Sequence, residues 1–153
     1  MDLHPDFKDL LAEFGRSKVS YAVLGGYAVG YHAKPRATKD LDLLVSGLGD
    51  NLERAAAALA AFGAPSSIVQ SVRTLAPTEI VFLGAPPVRV DILRSADGIE
   101  SEEVILRAEI ARVDGLDIPF VTLDDLITNK RAAGRLQDLA DVVVLERVRA
   151  ARR

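Results

Sequence analysis

Apolar side chains first recur at Phe7, Leu10, Leu11 and Phe14, in steps of three, one and three. That spacing predicts an amphipathic helix over Asp6–Phe14, stopped by Gly15. Val19–Leu24 has the apolar run of a short buried strand. Gly25-Gly26 breaks it, and a helix is expected over Tyr27–Ala33, ending near Pro35. Asp40–Val45 alternates acid and apolar residues before running apolar, which predicts a strand with two carboxylates on one face. After a loop at Gly47–Asp50, Asp50 or Asn51 is placed to cap a helix reaching Leu59 or Phe62. Its alanines, Ala55–Ala58, Ala60 and Ala61, suit helix and close packing. Gly63–Pro65 ends it.

Further along, Ile68–Val72 reads as a strand. Glu79–Leu83 and Val88–Leu93 read as two strands joined by a turn at Gly84-Ala85-Pro86-Pro87. Ser101–Leu106 is expected to be helical. Ala111–Val113 and Leu116–Val121 flank Asp114-Gly115, a hairpin signal, and Pro119 points to an edge position for the second of these strands. Thr122 with Asp125 resembles a capping box in which Asp replaces the usual Glu. A helical region to Arg149 follows, with Gly134 as its point of interruption, and the basic tail Arg147–Arg153 is expected to fray. This order predicts an α+β (or α/β) fold: a mixed sheet flanked by helices, with helices at the C-terminus. One domain over 1–153 is expected, with a core at about 19–121 and a helical part at about 122–149.

Composition narrows the chemistry. The 153 residues include no Cys and two His, which leaves no thiolate metal site and no three-histidine site. A net charge of −3 argues against coating DNA by bulk attraction, and 5% aromatic residues argue against a stacking platform for single strands. Apolar runs fall well short of the ~20 residues needed to span a bilayer. Met1–Leu10 has neither a basic start nor an apolar stretch, so a cytoplasmic chain without membrane association is expected.

Candidate chemistry concentrates in Leu24-Gly25-Gly26 and, thirteen residues on, Asp40-Leu41-Asp42-Leu43. Two glycines after a strand permit a tight turn and close backbone approach to a ligand, and the helix start that follows favours phosphate. Asp40 and Asp42, two apart on a strand, project from the same face. Paired carboxylates stay ionised best with divalent cations between them, and an all-oxygen donor set points to Mg²⁺ or Mn²⁺. Asp91, in the apolar run Val88-Arg89-Val90-Asp91-Ile92-Leu93, supplies a third acid. Its structural alternative is pairing with Arg89 or Arg94. Three carboxylates on adjacent strands beside a Gly-Gly turn fit a two-metal phosphoryl-transfer site.

These residues resemble the nucleotidyltransferase superfamily with the DNA polymerase β-like fold. The match is its hydrophobic-Gly-Gly/Ser, spacer, Asp-hydrophobic-Asp/Glu-hydrophobic pattern, met by Leu24, Gly25, Gly26, Asp40, Leu41, Asp42 and Leu43, with Asp91 as the third carboxylate. Tyr27-Ala28 and Arg36-Ala37-Thr38-Lys39 are similar to a bacterial subset that includes the AbiEii-like and MenT-like toxins. A second block, Phe120–Lys130 and then Ala133–Asp141, is similar to the C-terminal motif of those proteins. If helix persisted through Gly134, Lys130, Asp138 and Asp141 would fall within about 80° of one another.

The resemblance implies Mg²⁺-dependent transfer of a nucleoside monophosphate from an NTP, ATP among the expected substrates, to an acceptor hydroxyl, releasing pyrophosphate. It assigns Asp40, Asp42 and Asp91 to catalysis and metal binding. Gly25, Gly26, Arg36, Lys39 and Lys130 are assigned to the nucleotide, and Arg135, Asp138 and Asp141 to a secondary pocket. The acceptor it suggests first is a tRNA or other RNA end, with the chain as the toxin of a toxin–antitoxin pair and an antitoxin as partner. The alternatives are a small-molecule (antibiotic) nucleotidyltransferase or an inactive module that keeps the fold. The acceptors differ in what they require: RNA needs a basic track beyond the site, whereas a cationic drug needs an acidic pocket. His32 is expected on a helix surface, and Tyr27 and Tyr31 are expected to pack.

Overall fold

A computed structural model describes residues 1–35, 40–86 and 88–153. The elements in chain order are α1 (Pro5–Arg16), β1 (Tyr21–Leu24), α2 (Gly25–His32), β2 (Asp40–Val45), α3 (Asn51–Phe62), α4 (Ser66–Arg73), β3 (Ile80–Ala85), β4 (Val88–Leu93), α5 (Ser101–Leu106), β5 (Glu109–Val113), β6 (Leu116–Phe120), α6 (Leu123–Ala133) and α7 (Leu136–Ala151). Six strands form one mixed sheet in the order β3-β4-β2-β1-β6-β5. β2 runs parallel to β4 and antiparallel to β1, while β1 runs parallel to β6. The expected α+β architecture with a mixed sheet is therefore what forms. No described helix is long and apolar enough to cross a membrane.

The sheet order places the chemistry. All four residues of β1 are buried, so it runs through the middle of the sheet. In β2, Leu41 and Leu43 are buried while Asp40 and Asp42 alternate with them on the other face. Because β1 runs against β2 and β4, its C-terminal end, at Leu24, lies beside the N-terminal ends of those two strands. The opposite face packs a core of Phe7, Leu10, Leu11 and Phe14 from α1, Ala55, Ala58 and Leu59 from α3, and the inward side chains of β1 and β2. The alanines of α3 suit this close approach.

Several expectations need correction. Ile68–Val72 is part of helix α4, because Val69 and Val72 bury one side of a helical turn that begins after Pro65. α1 passes through Gly15 and ends at Arg16, and α7 stays helical to Ala151. α2 starts at the glycines themselves. β6 lies between β1 and β5, away from the edge. Its pairing with β1 is confined to Val23–Phe120 and the Val121 N–H donating to the Val23 carbonyl at 3.1 Å, both beyond Pro119, whose missing donor is not needed there. Thr122 caps α6 by accepting the Asp125 N–H at 3.1 Å. The Asp125 carboxylate, however, turns to Arg107 in a two-pronged pair at 2.8 and 2.8 Å. Arg107 thereby holds Asp125 below the usual carboxylate range, outweighing its burial.

The C-terminal helical region breaks at Gly134, which adopts φ 68° and caps α6. The single long helix entertained above does not form. The turn nevertheless folds the start of α7 back over the end of α6, so Lys130 meets Asp138 and Asp141 across the break. His32 is buried, not on the surface: its Nε2 donates to the Val121 carbonyl at 2.7 Å, and desolvation pushes its pKa down. Tyr27 and Tyr31 do pack, Tyr27 edge-on to Phe7 and Tyr31 stacked on Phe120 with ring centroids 4.4 Å apart.

Candidate active site

Register brings the three acids together. Asp42 stands opposite Asp91 across the β2–β4 pair, and Asp40 stands opposite Arg89. In parallel strands opposed residues share a face, so all four side chains rise from one patch of sheet. Asp42 therefore faces Asp91 directly across the strand pair. Burial, and then the charges of Asp91 and Asp40, raise its pKa from 3.8 to about 7. One cation stands among them. Arg89 donates from Nε to Asp91 Oδ1 at 2.8 Å, and from one terminal nitrogen to Asp91 Oδ2 at 3.2 Å and Asp40 Oδ2 at 3.0 Å. Its guanidinium also lies over the Phe82 ring, 4.9 Å from the centroid. Asp40 Oδ1 is buried and accepts no hydrogen bond.

Against this patch stands the start of α2. Gly25 has φ +65°, and a Cβ there would lie inside the van der Waals surface of Asp42 Oδ2. Position 25 therefore favours glycine on two independent grounds. Among the described residues no side chain caps α2, so the N–H groups of its first turn can serve an anion.

The far wall comes from α6, the start of α7 and the loop after β4. Lys130 is buried, with Nζ 3.2 Å from Asp138 and 3.0 Å from Asp141. Arg135 donates from Nε to Asp138 at 2.8 Å and completes a capping box with it. Burial would push Asp138 up, but the bonds from Arg135 and Lys130 outweigh it and hold the carboxyl low. Asn129 donates to the Asp97 carbonyl at 2.9 Å, fastening the loop after β4 to α6. Between the walls lies a cleft of about 490 Å³, lined by Gly25, Gly26, Asp40, Asp42, Arg89, Asp91, Asp97, Asn129, Lys130, Arg135 and Asp138 among others.

Most of the residues singled out from the sequence thus converge on one cleft. Asp141 stands behind Lys130 and does not line the cleft. Arg36 and Lys39 lie outside the described residues. Arg89, Asp97 and Asn129 were not picked out for this site. A signal existed for Arg89, which sits two residues before Asp91 and so shares its face of the strand. Asp97 and Asn129 meet only through the folding of the loop onto α6.

The donor chemistry suits a divalent cation, with three carboxylates, one carrying a buried oxygen with no partner among the described residues, and no sulfur or imidazole among them; among the described residues the three do not stand together as a ready-made ligand cage. No family model matches the chain, and no curated protein matches it. Among solved structures, the chain is similar to the solution structure of the antibiotic-resistance factor ANT(2'')-Ia, with TM-score 0.58 and 14% identity over 95% of this chain and 88% of that one. It is also similar to the crystal structure of ANT(2'')-Ia in complex with adenylyl-2''-tobramycin, with TM-score 0.56 and 14% identity over 95% and 93%. The chain has the nucleotidyltransferase fold expected from its motifs.

Proposed function

We propose that the protein transfers a nucleoside monophosphate from an NTP to a hydroxyl of a small cationic acceptor. The observation that carries this reading is the convergence of Asp40, Asp42 and Asp91 beside the uncapped, glycine-opened start of α2. The shared fold with ANT(2'')-Ia supports it. In this reading the amides of Gly25 and Gly26 hold the triphosphate, and Asp40 and Asp42 hold Mg²⁺ or Mn²⁺. Asp91, the third carboxylate, would take part in removing the proton of the acceptor hydroxyl. Bound divalent cations supply Lewis-acid stabilisation of the attacking and leaving oxygens. A bond forms from the acceptor oxygen to the α-phosphorus as the bond to pyrophosphate breaks. Lys130 lines the same cleft, and its charge offsets a small part of the burial and carboxylate repulsion that raise the pKa of Asp42.

The charge of the cleft supports this acceptor class. Among the described residues, five carboxylates line the cleft (Asp40, Asp42, Asp91, Asp97 and Asp138) against three cations, Arg89, Lys130 and Arg135. Each of those cations is already engaged with carboxylates. An acidic cleft favours a polyamine-bearing small molecule over an RNA end, and with it a resistance-type modification over a toxin acting beside an antitoxin. The test is incubation with α-³²P-labelled NTPs, Mg²⁺ and two acceptor panels, aminocyclitol compounds and tRNA. Label on the amine-rich small molecules is expected. Label on tRNA alone would overturn the acceptor assignment, and label on neither panel, with no NTP bound in calorimetry, would overturn the activity.

A further inference from the structure

We propose that Arg89 is a resident counter-ion of the three-carboxylate site, holding Asp40 and Asp91 in register until divalent cations displace its guanidinium. The inference rests on the metal-site reading above. Both oxygens of Asp91 and one of Asp40 are committed to this one side chain. Among the described residues no three carboxylate or imidazole groups stand ready as a cage for an ion. Asp40 and Asp91 are instead gathered around a cation the protein supplies itself. A divalent ion taking oxygens of the same two carboxylates would sit within a few ångströms of the guanidinium, and like charges at that range repel.

The guanidinium is partly open to solvent. The Arg89 side chain is 31% exposed, and the ring it lies over, Phe82, belongs to the edge strand β3 and is itself 51% exposed. Arg89 is thus a positioning residue: it neutralises the crowded acids in the metal-free protein and competes with the ions that replace it.

Metal-free wild type, Arg89→Gln, Arg89→Lys and Asp42→Asn are titrated with Mn²⁺, free ion being read by electron paramagnetic resonance. Arg89→Gln is expected to bind Mn²⁺ about tenfold more tightly than wild type, and Arg89→Lys, which keeps the charge, to stay within about twofold of it. Thermal unfolding supplies a second readout. Metal-free Arg89→Gln should melt below wild type and regain that loss when Mn²⁺ is added. Binding by Arg89→Gln no tighter than wild type overturns the proposal, as does equal tightening in Arg89→Lys or a stability loss that Mn²⁺ does not recover. Asp42→Asn separates the two levels. If it binds Mn²⁺ like wild type, the metal-site reading itself fails. If it is weakened while Arg89→Gln is unchanged, only the role of Arg89 falls.

Discussion

Replacing Asp42 with asparagine should make the metal-free protein more stable while abolishing its activity. In the folded chain this carboxyl is half-buried beside Asp91 and Asp40, and desolvation together with their charges raises its pKa from 3.8 to about 7. Because the folded value lies above the ordinary one, ionisation works against folding. Wild type and variant should therefore be equally stable below about pH 4, diverge as pH rises towards 7, and differ by a constant amount above that. Carrying a carboxyl over that interval corresponds to about 4 kcal/mol at most, and access of the cleft to water brings the expected gain to about 2–4 kcal/mol. For a chain of this size that is roughly 5–15 °C in melting temperature. The assay is thermal unfolding in EDTA at about pH 5 and about pH 8.5, repeated with Mg²⁺, which should stabilise wild type and leave the variant unchanged. A variant no more stable than wild type at the higher pH would refute the reasoning, because the crowding of three carboxylates would then carry no energetic cost.

Other substitutions probe separate parts of the account. Gly25→Ala sets a methyl against Asp42 at a left-handed backbone position, so it should lower turnover by at least about a hundredfold and cost about 1–3 kcal/mol in denaturant titration. Lys130→Met leaves Asp138 and Asp141 buried with one cation fewer, and a loss of about 3 kcal/mol in urea unfolding is expected. Leu59→Ala, in the fully buried face of α3 and away from the cleft, should cost about 2–5 kcal/mol yet leave the turnover of folded protein intact.

Sequence reading reached furthest where one period dominates. The alternation in Asp40–Val45 and the apolar run Val88–Leu93 predicted β2 and β4 with the bounds they have, and with them the acids. Ile68–Val72 failed because a five-residue apolar run satisfies both periods, and only burial of Val69 with Val72 against the core decides for helix. The meeting of Lys130 with Asp138 and Asp141 was anticipated for the wrong reason. Its cause is the left-handed turn at Gly134, not the phase of one continuous helix. Arg89 was weighed only as a partner for Asp91. Its second bond, to Asp40, depends on strand pairing 49 residues apart along the chain, which local spacing does not encode. The far wall at Asp97 and Asn129 is tertiary in the same sense.

The central claim is that Asp40, Asp42 and Asp91 with the Gly25-Gly26 turn form a metal-dependent nucleotidyl-transfer site. Pyrophosphate release from ATP, GTP, CTP and UTP in the presence of Mg²⁺ and an amine-rich acceptor tests it most directly. Wild type should release pyrophosphate in proportion to acceptor consumed, EDTA should stop it, and Asp40→Asn should reduce it to background. Release that persists unchanged in Asp40→Asn, or its absence from wild type with every nucleotide and acceptor while the protein is folded, would contradict the account.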